Sequence, residues 1–485
     1  MNTNITADAS ATSTLPPITR DADLSPEQRR VVRRSIAGSA IGNAIEWFDY
    51  GVYGYMVTTM ATLFFSFGGD QGTAWPRILA FGTFALSFLV RPLGALVLGP
   101  LGDRVGRRAV LVTTILLISV STAAIGLLPT YESIGIWAPL LLVFLRMLQG
   151  FSAGGEYAGS AVFMAEHAPD NRRGFYGSFL EFATFGGFCT AAILCTSLTV
   201  AVGREGMLDG WWRLPFLITL PLGLIGLWMR RNAAEPETFV EDVARETKDL
   251  ATRGGLRKLI AQYPGQLIKL MGFVVCYNVA FYLVLTYMPT YLSATLGQDA
   301  ILSDITLVAI QVVMMIVIVP IGALSDRVGR KPPLIVASLG FMILSVPAVM
   351  LCQMGSTWSV FVGIGILGLL LTIYAGTASA TLPALFPTAV RYSGFAIGYN
   401  VSTAMFGGTA AMANEMLIDS TGNPLIPGWY LAIAGAIGLI SVLTFRETAG
   451  RSLRGNVIPG TDDSLRRAAG ETLIGDRKNK RSKNG

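Results

Sequence analysis

The sequence predicts an all-α membrane protein in which twelve transmembrane helices form two pseudo-symmetric six-helix bundles. Of its 485 residues, 52% are hydrophobic and only 14% are charged, and the mean hydropathy is +0.54. Soluble domains carry about 25% charged residues. The charges lie in short groups between apolar runs of about 20 residues, which is the length of a helix that crosses a bilayer. A short motif occurs twice and indicates that the second bundle repeats the first.

The apolar runs give the predicted helices in order. They cover approximately residues 35–63, 78–100, 109–129, 136–164, 174–200, 213–230, 266–292, 304–324, 333–352, 358–385, 391–417 and 428–446. The longest break between them is charged and contains Gly254 and Gly255, which is typical of a linker. We therefore predict a disordered cytoplasmic arm at 1–32, a first bundle at 33–231, a cytoplasmic linker at 232–262, a second bundle at 263–447 and a basic cytoplasmic tail at 448–485.

Arginine and lysine are concentrated in alternate connections between the runs, and this predicts the orientation of the chain. Groups of them precede the first run and follow the second, fourth, sixth and eighth runs, and most of the rest lie in the tail. Positively charged connections stay in the cytoplasm. We expect a multi-pass protein of a bacterial-type cytoplasmic (inner) membrane with both termini inside. The net charge of +6 therefore reflects topology and does not indicate a nucleic-acid partner.

Each half carries the same turn after its second apolar run. The segment GPLGDRVGRR begins at Gly99, and GALSDRVGRK begins at Gly322. Glycine allows a tight reversal, and the acidic residue can pair with arginine or with a helix N-terminus across the seam between the halves. The turns could serve only as topology signals, but their repetition at matching places favours a gating role. The candidate gating residues are Gly99, Asp103, Arg104, Gly106, Arg107 and Arg108 in the first copy and Gly322, Asp326, Arg327, Gly329 and Arg330 in the second.

These turns, together with LRMLQGFSAGGEY at 145–157, resemble the major facilitator superfamily. Within it, GNAIEWFDYGVYGY at 42–55 and RMLQGFSAGGEYAGSAVFMAEHAPDNRRGFYGS at 146–178 are similar to the metabolite:proton symporter family. LTYMPTYL at 285–292, TLPALFPTAVRYS at 381–393 and ETAGRSLRG at 447–455 resemble its proline/betaine transporter branch. The resemblance covers about residues 33 to 455. It implies two bundles that rock about a central site, with a proton gradient, and no bound cofactor, driving solute uptake.

The tail departs from part of that branch. Some proline/betaine transporters end in a long coiled coil, whereas the tail after Arg454 is short and basic and has no apolar heptads. The sequence therefore predicts transport of a compatible solute rather than osmosensing through the tail.

Two acids and two bases are predicted at one depth of the membrane. Glu46 and Asp49 are three positions apart and share one face of the first helix. A rise of about 1.5 Å per residue places Glu46 about 15 Å deep, with Arg91 and Arg146 near the same level. An isolated charge at the bilayer centre costs at least about 2.5 kcal/mol, so such groups face inward and mark a substrate or proton path. We predict that the two acids include the proton carrier and that the two arginines are their counter-ions. The alternative is a permanent ion-pair network that only locks the helices together.

Three further residues extend the predicted proton and substrate path. Glu156 and Tyr157 lie lower in the fourth run, and Glu181 lies about 10 Å deep in the fifth. Glu156 either extends the path inward or pairs with a cytoplasmic arginine.

The residue types near the acids favour a zwitterionic solute. Aromatic faces and a carboxylate attract an ammonium group, and an arginine binds a carboxylate. The candidate cage residues are Trp47, Tyr50, Tyr53 and Tyr282, although aromatic residues at such spacing are often ordinary packing. The second half carries no cation at mid-depth, and a dicarboxylate would require one. We expect proton symport of glycine betaine or proline; the alternative is a carboxylate metabolite such as ketoglutarate, shikimate or an aromatic acid.

Other classes of protein fit the sequence less well. An enzyme needs a nucleophile with its base, a metal-ligand cluster or a phosphate-binding loop, and none of their motifs occurs in the sequence. The four cysteines lack the close spacing of a zinc site and are expected to be buried thiols. A channel or a sensor does not require two gates. We therefore predict a transporter without metal or cofactor that functions as a monomer in the lipid bilayer.

Overall fold

The computed structural model describes residues 18–67, 73–105, 107–154, 156–232, 255–454 and 458–461. Within these ranges the regular secondary structure is helical and no strand occurs. The first half contains α1 (Pro26–Phe64), α2 (Trp75–Val105), α3 (Arg107–Leu127), α4a (Trp137–Ser152), α4b (Glu156–His167), α5 (Arg173–Gly206) and α6 (Arg213–Asn232). The second half contains α7 (Pro264–Tyr282), α8 (Ala300–Val328), α9 (Lys331–Gln353), α10 (Thr357–Thr381), α11a (Arg391–Ser402), α11b (Ala410–Thr421) and α12 (Ile426–Leu443).

Every predicted apolar run coincides with helix. Among the described residues, eight helical segments are long and apolar enough to cross a membrane, and shorter apolar stretches occur at Val112–Leu127 and Arg213–Leu227. Large aliphatic side chains point outward from these helices; Ile316 and Ile440, for example, are each 67% exposed. An apolar outer surface of this kind suits contact with lipid tails.

Three predicted spans, the fourth, the seventh and the eleventh, are interrupted rather than continuous α-helices. The fourth is divided around Ala153 and Gly154 into α4a and α4b. The eleventh passes through a π-helical turn at Thr403–Gly407, and α7 continues through π-helical turns at Leu283–Tyr287 and Tyr291–Thr295. Interruptions of this type are frequent at functional sites because they change which side chains face a neighbouring helix.

The predicted disordered arm is too long at its C-terminal end. Ser25 and Gln28 form a capping box: the Gln28 backbone N–H donates to Ser25 Oγ (3.2 Å), and the Ser25 N–H donates to Gln28 Oε1 (2.9 Å). This cap starts α1 at Pro26, well before the first apolar run. The backbone N–H of Thr19 also donates to Asp170 Oδ2 (2.9 Å), so the described part of the arm contacts the first half. Residues 1–17, 233–254 and 462–485 lie outside the described residues.

The two halves meet along several helix pairs, among them α5 with α8 and α10, α4b with α11a, and α2 with α11b. The contact between α5 and α8 extends from Gly174 and Gly322, near the end that carries the DRVGR turns, to Gly186 and Met315 further along both helices, whereas α2 contacts α11b near the other end. The approach of α8 to α5 is close, because a Cβ added at Gly322 would lie 2.5 Å from the carbonyl oxygen of Gly174. The motif glycine at 322 therefore serves helix packing, whereas Gly329 has a positive φ of 99° and ends α8.

Candidate functional site

The centre of the first half holds a buried acid and base on neighbouring helices. Arg91 Nη2 of α2 lies 4.0 Å from Glu46 Oε1 of α1, with side-chain exposures of 1% and 4%. The guanidinium carbon of Arg91 lies 4.3 Å from the ring centroid of Phe88 and 4.7 Å from that of Tyr50. Aromatic faces at this distance stabilise the buried cation.

The second base and acid are joined by a chain of polar groups. Arg146 Nη1 donates to Gln149 Oε1 (2.7 Å), and Gln149 Nε2 donates to Thr122 Oγ1. The Thr122 hydroxyl lies 3.1 Å from Asp49 Oδ2 and 2.8 Å from the carbonyl oxygen of Ile118, and donates to one of them at a time. The relay therefore connects α4a, α3 and α1 without a direct contact between the charged ends.

All four residues predicted at mid-depth lie in one buried cluster. The permanent ion-pair network proposed as the alternative is only partly formed among the described residues, where the pair between Arg91 and Glu46 is long. Arg91 Nε and Nη2 and Arg146 Nε and Nη2 are buried without a hydrogen-bond acceptor among these residues. Buried guanidinium donors without acceptors are rare in proteins, and they indicate a place that an anionic group can fill.

A small cavity lies on the far side of the two acids. Its volume is about 20 Å³, and it lies between α1, α3 and α6. A volume of roughly 10–15 Å³ accommodates one water molecule. Glu46 and Asp49 are both among its lining residues. Its lining residues are Gly42, Ile45, Glu46, Asp49, Ile115, Ile118, Ser119 and Gly226.

The predicted cage residues divide into two groups. Trp47 faces the second half, with its ring centroid 5.1 Å from that of Phe281, and its Nε1 donates to Asn43 Oδ1 (3.1 Å). The hydroxyls of Tyr50 and Tyr282 are buried and have no hydrogen-bond partner among the described residues. Those three side chains come from both halves and surround the Arg91 guanidinium.

Tyr53 has a different place. Its hydroxyl donates to the carbonyl oxygen of Ala80 (3.0 Å), and its ring lies 4.1 Å from the Arg146 guanidinium carbon. The predicted cage role is therefore less suited to Tyr53 than to the other three, because its hydroxyl is occupied and its face supports Arg146.

Glu181 lies where the two halves meet. Its carboxylate accepts hydrogen bonds from Tyr157 of α4b (2.5 Å), Tyr277 of α7 (2.5 Å) and Ser379 of α10 (3.1 Å). The Tyr157 ring also stacks on Tyr399 of α11a, with centroids 4.5 Å apart. The side chain of Glu156 lies outside the described residues.

The second DRVGR turn contacts the first half as its sequence predicts. Asp326 accepts hydrogen bonds from the backbone N–H groups of Gly174 and Phe175, both 2.8 Å, at the N-terminus of α5. Arg330 Nη2 lies 2.5 Å from the same carboxylate, so an arginine and a helix terminus both stabilise it. Arg327 is exposed. For the first turn, Gly106 and the side chains of Asp103, Arg104, Arg107 and Arg108 lie outside the described residues.

Sequence reasoning missed two ion pairs that join the halves. At the end opposite the turns, Arg77 Nε of α2 donates to Glu415 Oε1 of α11b (2.6 Å), and the Tyr287 hydroxyl donates to Glu415 Oε2 (2.9 Å). At the turn end, Arg391 Nη1 lies 2.5 Å from Glu166 Oε1. No local sequence pattern indicates such pairs, since charged residues near helix ends are common and their partners lie far away in the chain.

The sequence pattern of the Major Facilitator Superfamily matches residues 39–413. The chain belongs to the major facilitator superfamily. Solved structures of the superfamily share its architecture. The proton:xylose symporter XylE bound to 6-bromo-6-deoxy-D-glucose has a TM-score of 0.68 at 18% identity, covering 90% of this chain and 99% of XylE. That likeness shows the fold and confirms the predicted fold class.

Named relatives within the superfamily are similar over nearly the whole chain. The proline/betaine transporter of Escherichia coli (strain K12) is 39% identical, covering 89% of this chain and 87% of that transporter. The glycine betaine/proline/ectoine/pipecolic acid transporter OusA of Dickeya dadantii is 40% identical, with coverage of 89% and 86%. The ectoine/proline transporter ProP of Corynebacterium glutamicum is 39% identical, with coverage of 90% and 88%. The predicted branch is confirmed, as is the prediction of a multi-pass transporter rather than an enzyme.

Proposed function

We propose that this protein takes up a small zwitterion, such as glycine betaine or proline, together with a proton by alternating access. The observation that carries the proposal is the set of buried guanidinium donors on Arg91 and Arg146 that lack acceptors. A guanidinium binds a carboxylate through two parallel hydrogen bonds. The solute carboxylate would occupy those donors, because they form no hydrogen bond among the described residues and the approach of Arg91 Nη2 to Glu46 is a long 4.0 Å.

The cationic end of the solute would lie against the aromatic groups beside Arg91. Trp47 and Tyr50 from the first half and Tyr282 from the second converge there. Aromatic faces attract a quaternary or secondary ammonium. The two mid-depth bases are accompanied by the acids Glu46 and Asp49, and this balance suits a zwitterion better than a dicarboxylate.

Glu46 and Asp49 are the proposed proton sites. A buried carboxylate holds a proton more readily than an exposed one, and a nearby guanidinium opposes this. Movement of Arg91 or Arg146 during rocking, or binding of the solute carboxylate, would change the proton affinity of Glu46 and Asp49. The path would continue through Tyr157 and Glu181 toward the end that carries the DRVGR turns, which we place in the cytoplasm together with both termini.

The names of the relatives support the class of solute. They name proline, glycine betaine, ectoine and pipecolic acid. Each of these combines a carboxylate with a cationic nitrogen group. The protein is proposed to work in the cytoplasmic membrane as a monomer.

The direct test is uptake into proteoliposomes that hold the full chain. Labelled glycine betaine, proline and ketoglutarate are each supplied with an inward proton gradient, with and without a protonophore. We expect gradient-dependent accumulation of glycine betaine or proline, abolished by the protonophore. Accumulation of ketoglutarate alone would contradict the proposal.

Two substitutions test the proton sites. In Glu46→Gln or Asp49→Asn, at least one variant should lose gradient-driven accumulation yet keep counterflow of labelled solute, because exchange needs no net proton movement. The exposed residues Glu132 and Asp419 supply the matched controls Glu132→Gln and Asp419→Asn. If both buried-site variants accumulate solute like the wild type, neither acid is the carrier.

A further inference from the structure

Glu181 is a buried carboxylate whose hydrogen-bond donors are divided between the two halves. It is 0% exposed, in α5 of the first half. The donor Tyr157 belongs to the same half, whereas Tyr277 and Ser379 belong to the second half. None of the salt bridges formed by the described residues involves Glu181, so these hydroxyls are its stabilising partners.

We propose that Glu181 is an inter-half latch: its ionised carboxylate holds the pathway shut between the central site and the DRVGR end. This inference rests on the proposed alternating access but assigns a residue that proton loading at Glu46 and Asp49 does not require. The position supports it, since Glu181 lies about two helical turns beyond Gly174 and Phe175, where Asp326 joins the same two halves.

The latch depends on charge as well as on contact. Hydrogen bonds to an ionised acceptor are about twice as strong as those between neutral groups. Opening the seam removes Tyr277 and Ser379 from the carboxylate and leaves Tyr157 as its remaining hydroxyl donor. An interaction that is lost in one state and kept in the other shifts the equilibrium between them, whereas one kept in both states does not.

This difference gives a matched pair of substitutions. Tyr277→Phe removes a donor that crosses between the halves, and Tyr157→Phe removes a donor of the same type and the same length, 2.5 Å, that stays within one half. Both replacements keep the ring, including the stacking of Tyr157 on Tyr399. Ser379→Ala removes the second hydroxyl that donates to Glu181 from the other half.

Opening is measured as a distance between two spin labels on the full chain in lipid nanodiscs. Labels at Arg172→Cys and Gln262→Cys report on the first and second halves, since both residues are exposed near the starts of α5 and α7. The four native cysteines are buried, which favours selective labelling. The measurement needs no solute and no proton gradient. The latch can therefore be disproved while the proposed uptake is confirmed, and the proposed uptake can be disproved while the latch is confirmed.

We expect Tyr277→Phe to raise the ratio of open to closed molecules about tenfold, with a smaller rise for Ser379→Ala. Tyr157→Phe should change the ratio by less than about twofold. Glu181→Gln should raise the ratio of open to closed molecules at least as much as Tyr277→Phe. If Glu181→Gln does not fold, the comparison of the three hydroxyl variants tests the latch. Equal opening in Tyr157→Phe and Tyr277→Phe, or no opening in Tyr277→Phe, overturns the latch.

Discussion

The pair between Arg77 and Glu415 provides a prediction for the opposite end of the molecule. Arg77 is 23% exposed and Glu415 only 2%, so the buried partner depends on the pair more than the exposed one. The substitution Arg77→Met keeps much of the aliphatic stem and removes the charge. It leaves Glu415 with the hydrogen bond from Tyr287, which lies in the same half as Glu415.

The size of the effect follows from the contact that is lost. A hydrogen bond to a charged group contributes about 1.5–3 kcal/mol. Because Arg77 is partly solvated, we take the lower value, which corresponds to about a tenfold change in an equilibrium constant. We therefore expect Arg77→Met to raise the ratio of molecules open at this end to closed molecules about tenfold.

The assay uses spin labels at Glu132→Cys and Asn423→Cys, which are exposed positions in the first and second halves at this end. Tyr287→Phe is the matched control, since it removes a hydrogen bond to the same carboxylate that does not cross between the halves. The control should shift the ratio by less than about twofold. An unchanged distance in Arg77→Met, or an equal shift in the control, would refute the reasoning.

Three further predictions concern the central site and the turn end. Trp47→Leu should raise the KM for glycine betaine about twofold to thirtyfold, because a cation–π contact is worth about 0.5–2 kcal/mol; Trp137→Leu, at a residue 64% exposed, should leave it unchanged. Gln149→Leu should lower the free energy of unfolding by about 1–3 kcal/mol, since it leaves the Arg146 donor buried without its acceptor; an unaltered melting temperature in detergent argues against this relay. Asp326→Asn removes the charge that faces the N-terminus of α5, worth about 0.3–2 kcal/mol, and should widen the distance between labels at Arg172 and Gln262; a distance like that of the wild type counts against the role of the turn.

Much of the central cluster was accessible from the sequence because charges in apolar helices are costly. Glu46, Asp49, Arg91 and Arg146 were found by depth alone, and the structure brings all four together. Gln149 was missed although it lies three residues after Arg146, because a polar uncharged side chain carries a weaker signal than a charged one. Thr122 gave no signal, since its role depends on which face of α3 meets α1.

Glu415 and Glu181, the two acids that bind across the halves, could not be interpreted correctly from the local sequence alone. Glu415 lies near a helix end, where acidic residues are ordinarily exposed, yet it is buried against Arg77 of the other half. The sequence predicts Glu181 on the proton and substrate path, but it gives no sign that two of its three hydroxyl donors come from the second half. Their partners in the other half lie 96, 198 and 338 positions away in the chain.

The sequence by itself determined the helices, the two repeated halves and the position of the second DRVGR turn, because hydropathy, charge and glycine act over one or two helical turns. The tertiary structure alone decided which side chains from different halves share a hydrogen bond. Helical periodicity sets the face of a residue about its own axis, but the partner that meets this face is chosen by packing between distant helices.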